Sequence, residues 1–468
     1  MLATLLLSVS AAADFEIDAK TLAEAEREAR AAVEAALGVD LSQGPRVVLS
    51  TVDEVEEVLS AENVETFRNQ IEDPEQADAE RERFARLMSA AVLAKYSWSA
   101  DEVMVVADHF EEMAEELDEP ELHSPEALRA LLVHELVHAV DDYRFDYSSR
   151  LTSMSAADHI LCLEAVMEGN AQRVARDVAQ EREWSSGFDA FTRSITAIPG
   201  VEDMDPLERY MAEMSVVRFG TSYHDGERFV RAVLEGGGAE ALERAFREPP
   251  TSTEILFHPE WFLDPSLRPE LVYDLPGALA SVDERFEEGW NSFSMEINSA
   301  QLSQALAMLP EDDVRRCTSA VRSAQTRVHV PDEGAQNGEM VVLVLMETPS
   351  FSEASFLFKA EERLIHLKDS MFEGGPLELK DKRQGHDRVE ETQVFWCEKR
   401  IGLRGEDDED DLVAMAVVMM RGSLVLEVNR IGTDLELEEL LTLGHTMLAS
   451  ALAPPAEEEE SDEEGAGD

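Results

Sequence analysis

Two histidines four residues apart, His134 and His138, with Glu135 directly after the first, are the residues of this chain best placed to do chemistry. On a helix they lie one turn apart on a single face, so both imidazoles can reach one metal ion while Glu135 faces whatever the ion holds. These are the ingredients of a hydrolytic zinc centre, in which the histidines bind the ion and the glutamate takes a proton from water. Such a centre normally uses three protein ligands and leaves one position open, so a further ligand must come from elsewhere in the chain.

The surrounding sequence predicts the helix. Ser124, Pro125 and Glu126 supply an N-cap, a proline at the first helical position and an acidic first turn, and apolar residues then recur at three- and four-residue intervals. The pattern runs from about Pro125 to Asp142. Downstream, Glu164 and Glu168 interrupt an apolar helical segment from Leu161 to Ala171. Four residues apart, they share a face, and both can point at the metal helix.

The stretch from His134 to Tyr143 resembles the active-site helix of the thermolysin-type gluzincins, differing mainly at Val137 and Asp141. Glu168-Gly169-Asn170-Ala171 resembles the E-G-x-A segment that carries the glutamate zinc ligand in aminopeptidase-like gluzincins, with the glycine letting the two helices approach closely. That resemblance implies Glu168 as third ligand. A competing alignment sets Glu164 to Glu168 against the thermolysin-type E-A-x-x-D segment, which makes Glu164 the ligand and Glu168 the carboxylate that orients a histidine.

A third segment carries the likeness further. Tyr223 to Gly226, a Gly236-Gly237-Gly238 turn and the run from Pro249 to Glu260 resemble a pattern in bacterial H-E-x-x-H proteins. Carried over, His258 or Tyr223 supplies a hydrogen bond that stabilises an oxyanion. Together the resemblances imply one zinc per chain, a peptide or protein substrate, Glu135 as general base and a zincin-like metallopeptidase domain. A zinc-binding or metal-free module that engages a partner without catalysis remains open, as does a metal hydrolase acting on non-peptide substrates.

Composition bounds the setting. Met1 to Ala13 joins a short apolar run to small residues suited to cleavage before Asp14, as in a secretory leader, although a basic start is missing. A periplasmic or extracellular location is expected. No other stretch approaches a membrane span. With 100 Asp plus Glu against 40 Lys plus Arg, the formal charge of −60 repels nucleic acid and anionic lipid, which argues against both as partners. Only 8 of those acids lie between Glu457 and Asp468, so most of the excess belongs to the folded body. Cys162, Cys317 and Cys397 are too few for a disulfide framework; Cys317 and Cys397 can pair in an oxidising compartment, and Cys162 reads as a buried thiol.

The expected architecture is α+β in two domains: a mostly helical zincin-like domain over 14–290 and a smaller α+β domain over 299–452, followed by an acidic, disordered tail at 453–468. Lys20 to Leu37 reads as an amphipathic helix and Arg46 to Ser50 as a strand, with helices following through about Tyr96. Val103 to Ala107 reads as an edge strand able to pair with an extended peptide, and Pro249 to Pro259 as an irregular loop. In the second domain, Glu339 to Met346, Thr392 to Leu403, Leu412 to Met420 and Ser423 to Ile431 read as strands, with a turn at Arg421-Gly422 and an acidic loop at 406–411. Asp434 caps a closing helix that runs to Leu452, and no catalytic constellation is visible in this domain.

Overall fold

A computed structural model describes residues 15–71, 73–90, 92–154, 157–197, 216, 218–286, 289–332, 339–372, 377–404 and 411–453. The leader, residues 406–410 of the acidic loop and residues 454–468 of the tail lie outside the described residues. The architecture is α+β, with a mostly helical N-terminal region and a smaller β-rich C-terminal region. Two compact units divide it, the first comprising Met1–Arg268 with Ser299–Ala307 and the second Pro269–Asn298 with Met308–Asp468.

In the first unit, the metal helix spans Pro125–Phe145. Ser124 accepts a hydrogen bond from the Ala127 N–H, Pro125 opens the first turn, and Asp146 ends the helix in the left-handed region at φ 49°. Leu128, Leu132, Val133, Leu136 and Val137 are fully buried, so apolar side chains surround this helix on several sides rather than along one stripe. Its neighbours are the helices Ala19–Leu37, Ala157–Arg182 and Ser185–Ile195. Gly187 permits one of these contacts, because a Cβ there would lie 2.2 Å from the Ala127 nitrogen.

A small sheet lies beside the metal helix, formed by β1 (Arg46–Leu49), β2 (Ala94–Ser97) and β3 (Glu102–Val105) in the order β1-β3-β2. The strand expected at the edge, here β3, is therefore central. Its Val103 and Val105 are fully buried, and it pairs with β1 in parallel and with β2 in antiparallel. The edge next to the metal helix belongs instead to β2, in a stretch that reads as the end of a helical run. Buried Glu62 braces β2 by pairing with Lys95 at 2.7 Å and accepting from the hydroxyls of Ser97 and Ser99 at 2.8 and 3.0 Å.

The ligand helix, Ala157–Arg182, packs against both the metal helix and the helix Gly226–Arg247. A Cβ on Gly169 would lie 2.1 Å from the Gly226 carbonyl carbon, and one on Gly226 would lie 2.2 Å from the Ala165 oxygen. Gly169 thus serves a backbone crossing with Gly226, not the expected approach to the metal helix. The Gly236-Gly237-Gly238 turn becomes a break inside the helix, with Gly238 at φ 69°. Thr253–Phe257 forms one short helix within the expected loop.

The second unit is built on a seven-stranded antiparallel sheet, β4 (Trp290–Glu296), β5 (Ser323–Pro331), β6 (Met340–Glu347), β7 (Leu377–Val389), β8 (Thr392–Leu403), β9 (Leu412–Arg421) and β10 (Leu424–Ile431), in the order β4-β5-β6-β10-β9-β8-β7. The helices Leu275–Ala280 and Leu437–Ala451 cover Val341, Leu343, Val417, Met419 and Leu426 on one face. That packing draws residues 269–290, grouped in the sequence with the metal helix, into this unit. The β9–β10 turn centres on Gly422-Ser423, and the closing helix is capped by Glu436 reciprocally with Glu439 rather than by Asp434. Cys317 and Cys397 do not pair: all three cysteines are free and buried, Cys317 on the helix Glu311–Ala320 and Cys397 on β8. Among the described residues no helix is long and apolar enough to cross a membrane.

The Gly169–Gly226 crossing is directly testable. Backbone atoms cannot yield as a flexible side chain does, so Gly169→Ala is expected to force the helices apart and cost about 1–3 kcal/mol, read as a lower melting temperature. Gly220→Ala, where a Cβ meets nothing within 4 Å, is the control and is expected to leave stability unchanged or raised.

Candidate metal centre

His134 and His138 present their rings on one face of the metal helix, and Glu168 meets them from the ligand helix. The two Nε2 atoms are 3.0 Å apart, and they lie 3.1 Å (His134) and 3.2 Å (His138) from Glu168 Oε2. Ligand atoms held about 2.0–2.1 Å from a tetrahedral zinc lie about 3.3 Å from one another, so this triangle needs to open by only a few tenths of an ångström to receive the ion. Both histidines are buried, whereas Glu168 keeps 21% of its side chain exposed. The donor set, two imidazole nitrogens and one carboxylate oxygen, suits a divalent metal such as zinc.

Electrostatics favour a positive charge between these atoms. Burial pushes the Glu168 carboxyl up, but the two histidines beside it more than offset this and hold it well below the ordinary carboxylate range. Burial likewise pulls His138 down, and the Glu168 charge and hydrogen bond reverse this and raise it to about 9. The site therefore favours a proton on His138, and a divalent cation meets the same attraction.

Glu135 lies beside this triangle without belonging to it. It is buried, and its Oε2 accepts a hydrogen bond from the Tyr96 N–H at 2.7 Å. Burial raises its pKa, while the neighbouring histidines pull the other way. Tyr96 lies on β2 opposite Val103 of β3, and its N–H turns to the metal helix. Sequence reasoning missed this contact, because a backbone donor carries no residue signature.

Tyr223 joins the cluster. It sits in the π-helical turn Thr221–Asp225 that leads into the helix Gly226–Arg247, and its ring stacks on His134 with centroids 5.7 Å apart and planes 8° from parallel. Burial raises its phenol pKa well above the ordinary value, and a hydrogen bond to Glu168 adds to the effect, so the hydroxyl stays protonated and can donate. His258 is placed differently. Among its contacts are Glu260 at 3.1 Å and a stacked Trp261 at 3.9 Å, neither of which belongs to the cluster. Glu164 also turns away, facing Arg218 at 3.5 Å, and only Glu168 shares the cluster with the two histidines.

Loading and removal of metal give a direct check. One divalent ion per chain is expected by elemental analysis, and Glu168→Gln is expected to weaken zinc by about a hundredfold or more, with Glu164→Gln close to unchanged. Chelation is expected to lower the melting temperature, since an ion present at a thousand times its Kd stabilises the folded chain by about 4 kcal/mol.

Compared with protein-family models, curated proteins and solved structures, the chain matches none.

Proposed function

We propose that this chain is a zinc-dependent hydrolase with a zincin-like catalytic unit and that its substrates are peptide bonds. The observation that carries the reading is Glu135, a buried carboxyl beside the ligand set that is not itself a ligand. A structural zinc site uses four protein ligands and has no need of a base, whereas three ligands and a neighbouring carboxylate are the parts of a hydrolytic site.

His134, His138 and Glu168 would hold the ion. When bound, zinc supplies Lewis acidity toward a carbonyl and makes water acidic near neutral pH. Glu135 accepts the proton of the attacking water and delivers it to the leaving amine, and burial, by raising its pKa, suits it to both halves of that transfer. Tyr223 remains protonated and donates its hydrogen bond to the oxygen that gains charge in the transition state. Peptides are favoured as substrates because β2, whose Tyr96 N–H reaches Glu135, is an edge strand and so has a side on which an extended chain can pair.

Glu135→Gln is expected to keep zinc at one per chain and to lose turnover by a factor of about 10²–10⁴, the range a positioned base contributes. Tyr223→Phe is expected to lose about 10²-fold in kcat with metal content unchanged. Hydrolysis by Glu135→Gln at the wild-type rate would exclude its role as base. Full zinc occupancy with no cleavage in a broad peptide library would favour a binding module, and cleavage confined to esters or other non-peptide bonds would move the substrate class.

A further inference from the structure

Beside the metal centre the two ligand-bearing helices are joined by a buried polar pair. Asp141 follows His138 by three residues on the metal helix and is 1% exposed, and Asn170 follows Glu168 by two on the ligand helix and is 3% exposed. Asn170 Nδ2 donates to Asp141 Oδ2 at 2.7 Å. The other end of the same amide, Oδ1, accepts from Arg173 at 2.8 Å. Arg173 faces Asp177 at 3.4 Å, Asp177 faces Arg231 at 2.8 Å, and Arg231 and Arg176 grip Glu227 at 2.9 and 2.8 Å. The run begins on the metal helix, crosses the ligand helix and ends on the helix that follows the Tyr223 turn.

This chain of bonds has a fixed direction. A guanidinium can only donate, so Arg173 claims the oxygen of the Asn170 amide and leaves the NH₂ group facing the metal helix. An NH₂ group buried there requires an oxygen to accept from it, and Asp141 provides one. Both residue types are thus specified, which packing alone would not require. The geometry also separates the effects of a slip between the helices. Both histidines ride on one helix, so their 3.0 Å spacing would survive, and only the two distances to Glu168 would change.

We propose that Asp141 and Asn170 are positioning residues of the metal centre, whose hydrogen bond sets the distance between the helix carrying His134 and His138 and the helix carrying Glu168, and hence the grip of the three ligands on a divalent cation. The inference rests on the metal-binding reading of those ligands, but not on the hydrolase reading.

The test compares wild type, Asn170→Asp, Asp141→Asn and the double variant with the pair exchanged. Zinc affinity is read by competition with a chelating indicator, coordination by the visible spectrum of the Co²⁺-loaded protein, and folding by thermal melting of the metal-free chains. Asn170→Asp sets two carboxylates face to face and is expected to weaken zinc by about 10–100-fold and to alter the Co²⁺ spectrum. That loss runs against simple charge, since an added carboxylate near a cation should tighten binding. Asp141→Asn keeps an oxygen for the Asn170 amide and is expected to stay within about threefold of wild type. The exchanged pair restores a donor opposite an acceptor and is expected to regain wild-type affinity and spectrum.

Asn170→Asp binding zinc as tightly as wild type, or an exchanged pair no tighter than Asn170→Asp, overturns the proposal. Should Asn170→Asp fail to fold, the exchanged pair decides: wild-type affinity upholds the proposal, and a loss of more than about tenfold overturns it. A wild-type chain that takes up no divalent metal removes the metal centre itself, and that result is visible before any variant is compared.

Discussion

Three atoms with lone pairs, two imidazole nitrogens and a carboxylate oxygen, lie 3.0–3.2 Å from one another at the end of two largely buried side chains and one partly exposed one. Without something positive between them, so close a grouping of acceptors would repel, and the repulsion grows where water is excluded. Protons can satisfy the group in part, as the raised His138 and lowered Glu168 imply, but a divalent cation satisfies all three at once. Most of what is distinctive about the first unit follows from keeping that grouping in place.

Rigid backbone does much of this. The metal helix is enclosed by apolar neighbours, so its two histidines cannot drift relative to the core, and the ligand helix is fixed from its far side by the Gly169–Gly226 crossing. That crossing leads straight into the turn carrying Tyr223, so one backbone contact positions both a ligand and the aromatic ring stacked on His134. A π-turn adds a residue to the helical cycle and re-aims the side chains around it, which is how a tyrosine ahead of a regular helix comes to face a histidine on another element. Glu62 has the parallel task on the other side, holding the strand whose backbone donor fixes Glu135.

The parts legible in the sequence are those governed by local chemistry. Ser124 and Pro125 begin the metal helix as their types require, and the spacing of His134 and His138 fixes their shared face. Thr392 to Leu403 was readable as a strand because its apolar residues suit a buried sheet. The choice between Glu164 and Glu168 was not local: both occupy nearly the same face, and only the tertiary placement of Arg218 and the two histidines separates them. The four residues of β2 fall within a stretch too short for periodicity to mark as a strand, and they become one by pairing with β3. His258 was proposed from a motif alone, and in the fold it pairs with Glu260 and stacks on Trp261, its neighbours in sequence.

Asp141 and Glu135 show how burial acts differently on two carboxyls of one helix. Asp141 is raised to about 6 by burial even though Asn170 donates to it, and its partner lies on another helix, so its hydrogen bond ties the two helices together. Glu135 is raised by burial too, yet its partner is a backbone N–H on an edge strand, a donor that an extended chain paired on that edge can also engage. A carboxyl tied between two rigid helices suits positioning, and on the proposed reading a carboxyl held by a donor that a substrate chain could share suits proton transfer. On that same reading, the same residue chemistry six positions apart on one helix is divided between scaffold and reaction by the element each side chain meets.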